Sequence, residues 1–340
     1  MTRAAAPPAE VPAKTTRRRK PIDVAGFLER YALLILFAIV VLTFSIWLPD
    51  VFATATNART IASDRAVLAI AALATIVPLT AGQFDISIGP ILGLVSIGTA
   101  AAMSDFGLPL AAAIVIGLLI GAAVGLVNGV LVAVVGINSL IATLATSTVI
   151  GGLVTWYTGG TAIIGGISHH LTALGSGNWL GVPRPLVIAL AVAGLVAYIL
   201  RQIPYGRYLE TIGENRTAAR LVGLRVDRLI LISFVLAGAL AAVGGILLTA
   251  RTGIGNPQNG PNFVLPALAA AFLGSTTIRP GHFNVAGTVL AVYFVGVILS
   301  GLALAGAEPW VEPVFNGTAL AFAVGTSTVL ARRRTVQSTP

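Results

Sequence analysis

Long apolar runs almost free of charge recur from one end of this chain to the other. Residues 27–48 form the first, interrupted only by Glu29 and Arg30 near its start. About 20 apolar residues in a helix span a bilayer's hydrocarbon core. By that measure the further runs lie at roughly 61–80, 86–103, 108–135, 138–157, 185–202, 229–250, 264–277, 284–305 and 311–331. Residues 27–48 exceed the length of a signal-peptide core and lack a small-x-small cleavage site after them, so they predict a retained first helix. Composition points the same way. Only 10% of the 340 residues are charged, against about 25% in soluble domains, which excludes a soluble enzyme. The 38 glycines follow no Gly-X-Y period, which excludes collagen. An apolar, weakly charged chain is also the opposite of a disordered one. The expected fold is all-α: a polytopic membrane protein of about ten transmembrane helices.

Charge placement orients the spans. Ten spans starting in the cytosol put residues 1–30, 201–228, 277–283 and 332–340 inside, and these carry 17 of the 21 Lys/Arg. Arg59, Arg65, Arg184 and Arg251 remain outside. Basic residues beside span ends favour the cytosol, so both termini are expected there. Trp47, Trp156, Trp179 and Trp310 fall at the opposite, outer ends, where amphipathic rings suit the interface. Residues 1–26, with the run Arg17-Arg18-Arg19-Lys20, read as a disordered basic cytosolic arm, 27–331 as the membrane domain, and 332–340 as a cytosolic tail. The net charge of +9 is spread between apolar segments. It therefore fits contact with anionic membrane lipids and not with nucleic acid.

Two places are too short to span. Residues 66–80 are apolar for 15 positions before Ala81-Gly82-Gln83-Phe84-Asp85-Ile86-Ser87-Ile88-Gly89. In the other half, residues 264–273 are followed by Gly274-Ser275-Thr276-Thr277-Ile278-Arg279-Pro280-Gly281-His282-Phe283-Asn284. Short interrupted helices at matching positions imply two pseudo-repeated halves with a transport pathway between them. A carboxylate at membrane depth costs about 2.5–3.5 kcal/mol, so Asp85 needs a reason to be there. The residues allow three roles: Asp85 or Ser87 caps the third helix, lines a polar pathway, or relays protons. Gly117, Gly121, Gly125 and Gly129, spaced by four, form a stripe suited to close helix packing. Asn128 lies beside it, Asn138 opens the next helix, and Thr143, Thr146, Ser147 and Thr148 add hydroxyls that commonly bond their own backbone. The candidate pathway residues are Gln83, Asp85, Ser87, Asn128, Asn138 and Thr143.

The longest inner loop is 203–228. Within it Gly213 and Gly223 bracket a helical stretch, 214–222, about 13 Å long; Asn215 can cap its start and Gly223 can end it. Ala218 and Ala219 make one side thin, while Arg216 and Arg220 share another. The physics allows equally a loop resting on anionic lipid and a helix docked in a groove of a partner protein.

This loop also carries a resemblance. Tyr205-Gly206-Arg207-Tyr208, Ile212-Gly213-Glu214-Asn215, Ala218-Ala219-Arg220-Leu221-Val222-Gly223 and Leu247-Leu248-Thr249-Ala250-Arg251 resemble the permease subunits of ribose/xylose-type ABC sugar importers. So do Gly82-Gln83-Phe84-Asp85-Ile86-Ser87-Ile88-Gly89, Gly125-Leu126-Val127-Asn128-Gly129 and Ile141-Ala142-Thr143-Leu144-Ala145-Thr146, in order over residues 60–330. The chain departs from the family at Asn138-Ser139-Leu140 and at Arg279-Pro280-Gly281-His282-Phe283-Asn284, which leaves the particular sugar open. The resemblance implies a bacterial inner-membrane permease for a pentose or hexose. Loop 203–228 would be its coupling loop, with Glu214, Asn215, Arg216, Ala218, Ala219, Arg220 and Gly223 meeting the ATPase. Implied partners are a second permease subunit (a homodimer), ABC ATPase subunits, and a periplasmic or lipid-anchored solute-binding protein.

The residue inventory agrees with a non-enzymatic role. A phosphate-binding loop needs a Gly-Lys-Ser/Thr end, and the only lysines are Lys14 and Lys20. No bound cofactor is therefore expected, and ATP would be used by partner subunits. With no cysteine there is no thiolate metal site or thiol nucleophile. His169 and His170 are adjacent in an outer loop and His282 stands in an inner one, so neither a catalytic nor a metal site is expected. Rival readings keep the fold but carry a nucleoside, an amino acid or a signalling sugar. Another is an ion-coupled secondary transporter working alone.

Overall fold

A computed structural model describes residues 24–337. The basic arm expected at 1–26 lies outside the described residues except for its last three, which begin the first helix; of the expected tail, residues 338–340 lie outside. The described chain is helical almost throughout, and its helices are α1 (Val24–Trp47), α2 (Ala55–Thr80), α3 (Ile88–Ser104), α4 (Leu110–Gly129), α5 (Ser139–Thr158), α6 (His169–Ser176), α7 (Arg184–Arg201), α8 (Pro204–Glu214), α9 (Arg216–Leu221), α10 (Val226–Thr252), α11 (Val264–Gly274), α12 (Val285–Leu304) and α13 (Val311–Gln337). A π-helical turn, Val130–Val134, extends α4. The strands are two-residue pairs: Ile163–Ile164 with Ile254–Gly255, and Asn178–Trp179 with Val182–Pro183.

Among the described residues, seven helices are long and apolar enough to cross a membrane: α1, α2, α4 with its π turn, α5, α7, α10 and α12. The two shorter apolar segments are α3 and α11, at the places where the sequence is interrupted. α11, with 11 residues, spans only about 16 Å, roughly half the hydrocarbon core.

Helix ends sort into two sets. Tyr157 of α5 donates to Asp105, which follows α3, at 2.7 Å. Arg65 of α2 meets Glu312 of α13 at 3.3 Å, and Asp64 pairs with Arg251 of α10. Ser300 of α12 meets Asn57 of α2 at 3.0 Å. At the other end, Arg30 of α1 holds the segment after α11, and Glu210 of α8 meets Arg279 at 3.4 Å. This sorting matches successive helices running in opposite directions. Exposed Trp47, Trp156, Trp179 and Trp310 belong to the first end, here called the tryptophan end; the other carries α8 and α9 and is the loop end.

The core is built on α2, buried continuously from Ala66 to Thr80, as befits a helix apolar on every side. It packs against α7, α10, α11 and α12. α4 lies along α10 through its glycine stripe. A methyl group added at Gly121 would sit 2.4 Å from the Gly238 carbonyl oxygen, and one at Gly125 2.4 Å from that of Phe234. The stripe is a packing device.

Candidate functional site

The site is built where α2 stops. Gly82 takes φ 72°, a left-handed conformation that costs glycine little. Its N–H donates to the Leu79 carbonyl at 2.9 Å and that of Gln83 to Pro78 at 3.0 Å, the Schellman pattern that terminates a helix. Residues 83–87 then run unwound. Such backbone survives at membrane depth only if protein satisfies it, and α5 does so. The Phe84 N–H donates to Ser139 Oγ at 3.1 Å and the Ile86 N–H to Thr143 Oγ1 at 3.2 Å. Asn138 caps α5 by accepting the Leu140 N–H at 3.0 Å, so the two hydroxyls stand on the first turns of a fixed helix.

A second set of bonds closes the other side. Asp85 Oδ1 accepts the Ser87 N–H at 2.9 Å and the Ser87 hydroxyl at 2.5 Å. Ser87 Oγ in turn accepts Asn128 Nδ2 at 2.7 Å. Asp85, rather than Ser87, therefore serves the start of α3, because the Ser87 hydroxyl is committed to the carboxylate. Asp85, Ser87, Asn128 and Thr143 are all buried, and form one stitched cluster with Ser139. Among the described residues, Asp85 Oδ2 and Asn128 Oδ1 have no partner. Gln83 is half-buried and turns its amide back to the Ala81 carbonyl at 3.3 Å; Asn138 is exposed. Both stay outside the cluster. Ser139 was not among the sequence candidates, since a serine after an N-cap residue looks like an ordinary helix start. Thr146, Ser147 and Thr148 bond the carbonyls of Ala142, Thr143 and Leu144 in their own helix.

The second break, residues 275–284, contains left-handed Ile278 and Gly281. Asn284 Nδ2 donates to the carbonyls of Gly274 and Thr277, each at 3.1 Å, while its Oδ1 accepts the Gly287 N–H at 2.7 Å and so caps α12. The Arg30 carbonyl accepts the Ile278 N–H at 2.9 Å and the Thr277 hydroxyl at 2.8 Å. Arg30 Nε returns a bond to the Ile278 carbonyl at 3.0 Å. The two breaks meet through aromatic rings: Phe84 stacks on Phe272 with centroids 6.1 Å apart, and Phe272 meets Phe283 edge-on at 5.3 Å.

Loop 203–228 holds two helices, not the single stretch 214–222 expected from its glycines. Glu214 ends α8, and Asn215 is extended (φ −155°, ψ 99°). Asn215 then caps α9 by accepting the Ala218 N–H at 2.9 Å. α9 closes as α2 does: Gly223, at φ 85°, donates to Arg220 at 3.0 Å, and Leu224 to Ala219 at 3.1 Å. Arg216 and Arg220 both pair with Asp227 Oδ1, at 3.0 and 2.7 Å, which ties α9 to the start of α10. Ala219 faces inward and is fully buried. The protruding side chains are Leu221 and Val222, 83% and 74% exposed. Neither was among the sequence candidates for the coupling loop. α8 packs Leu209 and Ile212 inward. Tyr205 donates its hydroxyl to the Leu229 carbonyl at 3.2 Å, and burial raises the Tyr205 pKa, keeping it a donor. A groove of about 410 Å³ separates α8 from the second break, lined by Gly82, Glu210, Gly213, Glu214 and His282 among others.

Comparison with known proteins bears on this geometry. Residues 57–324 match the family described as branched-chain amino acid transport system, permease component. The chain is 34% identical over 297 residues to a ribose import permease protein of Haemophilus influenzae, covering 86% of this chain and 90% of that one. It is 33% identical over 318 residues to a probable ABC transporter permease protein of Escherichia coli, covering 92% and 95%. With an L-arabinose transport system permease protein of Escherichia coli it shares 30% identity over 304 residues, covering 87% and 89%. No solved structure matches the chain.

Proposed function

Because this multi-pass membrane chain belongs to the family of branched-chain amino acid transport system permease components, we propose that it is the membrane subunit of an ATP-driven importer for a pentose or hexose. The cargo class is taken from its similarity to ribose and arabinose permeases. Two such chains would form the pathway, fed by a solute-binding protein at the tryptophan end, with ATPase subunits beneath the loop end in the cytosol. Both termini would then be cytosolic.

One observation carries this reading: two large apolar side chains, Leu221 at the end of α9 and Val222 after it, stand exposed at the loop end. A monomer gains nothing by exposing them there, whereas a protein groove would bury them. Arg216, Arg220 and Asp227 fix the helix in place, and Glu214, Asn215, Ala218 and Gly223 shape its ends. The buried Asp85–Ser87–Asn128 chain would hold the break rigid. The pathway would run beside that break, past half-buried Gln83 and the ring of Phe84.

The test is reconstitution of the chain with a cognate ATPase and binding protein in proteoliposomes, scored by uptake of labelled pentoses and hexoses. Uphill uptake should require ATP, and Leu221→Asp should abolish co-purification of the ATPase. Uphill accumulation by the chain alone, driven by a proton or sodium gradient, would overturn the proposal in favour of an ion-coupled carrier using Asp85.

A further inference from the structure

Besides packing Leu209 and Ile212 inward, α8 makes two close backbone-on-backbone contacts with the membrane helices. At its start, a methyl group on Gly206 would lie 2.1 Å from the Leu200 carbonyl oxygen, and Tyr205 anchors the same turn to Leu229. At its far end, a methyl group on Gly213 would lie 2.4 Å from the Thr80 carbonyl oxygen and 3.3 Å from the Gly82 nitrogen. Gly213 is thus pressed onto the last turn of α2, one residue before the break opens at Gln83. The residue after Gly213 is Glu214, where α8 ends, and then Asn215 begins α9. On its other flank, α8 faces the groove, across which the Glu210–Arg279 ion pair reaches the second break.

We propose that Gly213 is the positioning residue of a mechanical joint: its contact with Thr80 and Gly82 carries movement of α9 into residues 83–87. α8 then acts as a lever pivoting at Gly206. Displacement of its tip moves Gly82, and Gly82 lies two residues from Phe84, whose ring connects the first break to the second through Phe272 and Phe283. Packed backbone transmits displacement because it leaves no void to absorb it, and the glycine at position 213 allows that approach. This rests on the reading of α9 as the ATPase-docking helix.

The experiment uses the complete transporter in proteoliposomes and reads solute carried per ATP hydrolysed. Gly213→Ala should still co-purify with the ATPase, but the transport ratio should fall about tenfold, within the usual range of a coupling free energy. Insertion of two glycines after Glu214 keeps the Gly213 contact but slackens its link to α9, and should lower the ratio likewise. A structural defect would reduce uptake and hydrolysis together and leave the ratio unchanged; that result for both variants overturns the joint. A second reading comes from spin labels on Glu214→Cys and His282→Cys, across the groove. Their separation should change on ATP binding in the otherwise native chain and stay fixed in the glycine-insertion variant. An unchanged separation in the otherwise native chain would also overturn it. Failure of any ATPase to associate with the unmodified chain sinks the docking reading instead, so the two failures are distinguishable.

Discussion

Ser87 sits at the centre of the first break, donating to Asp85 and accepting from Asn128 within a region closed to solvent. Replacing it with alanine leaves the Asn128 amide without its partner and strips one donor from a buried carboxylate. Unsatisfied buried polar groups cost about 1–3 kcal/mol each, so Ser87→Ala should lower the thermal unfolding midpoint of the detergent-solubilised chain clearly. Thr146→Ala removes only a bond from a side chain to its own helix and should cost much less. Equal shifts for the two would mean the cluster does not hold the break. Asn128 and Thr143 stand out in the sequence as polar residues on apolar helices, but their partners are invisible there. Phe84 and Ser139 are 55 residues apart, and Ile86 and Thr143 are 57 apart. No periodicity encodes a contact at that separation.

Among the elements, the α4–α10 pair is the most legible. Four glycines at a spacing of four announce close packing, and the structure supplies the partner, α10, with Gly238 answering Gly121. Gly125→Ala forces a methyl group to within 2.4 Å of the Phe234 carbonyl. Overpacking costs typically about 1–3 kcal/mol, so the yield of folded protein in size-exclusion chromatography should drop. Gly151→Ala, on α5 with open space around it, should leave that yield unchanged. If both are tolerated, α4 and α10 are not locked together. Loop 203–228 was less legible. Its C-terminal glycine and its asparagine cap act through local backbone bonds and were readable. The split between α8 and α9 was not, because both halves are helix formers and only packing of Leu209 and Ile212 shows where α8 belongs. The burial of Ala219 is likewise set by packing between elements, which the local pattern cannot see.

For the whole molecule, alternation of helix ends makes a prediction that a chain without cysteine tests cleanly. Single variants Leu180→Cys, in the exposed hairpin at the tryptophan end, and Val222→Cys, after α9, should lie on opposite sides of the membrane. A membrane-impermeant thiol reagent applied to intact cells should label the first and leave the second unlabelled until the membrane is opened. Labelling of both from outside would invert or break the proposed topology.

Hydropathy and charge, summed over windows of about 20 residues, by themselves determined the helical class, the presence of many membrane-length segments and where the chain is interrupted. These are properties of each segment against its solvent, and need no knowledge of neighbours. Tertiary structure alone decided that α5 satisfies the first break, that Arg30 and Asn284 satisfy the second, that Gly213 rests on the end of α2, and that Leu221 and Val222 point outward. Each depends on which distant backbone comes within hydrogen-bonding or van der Waals range. That range is a few ångströms, so only the assembled packing of all the helices fixes it.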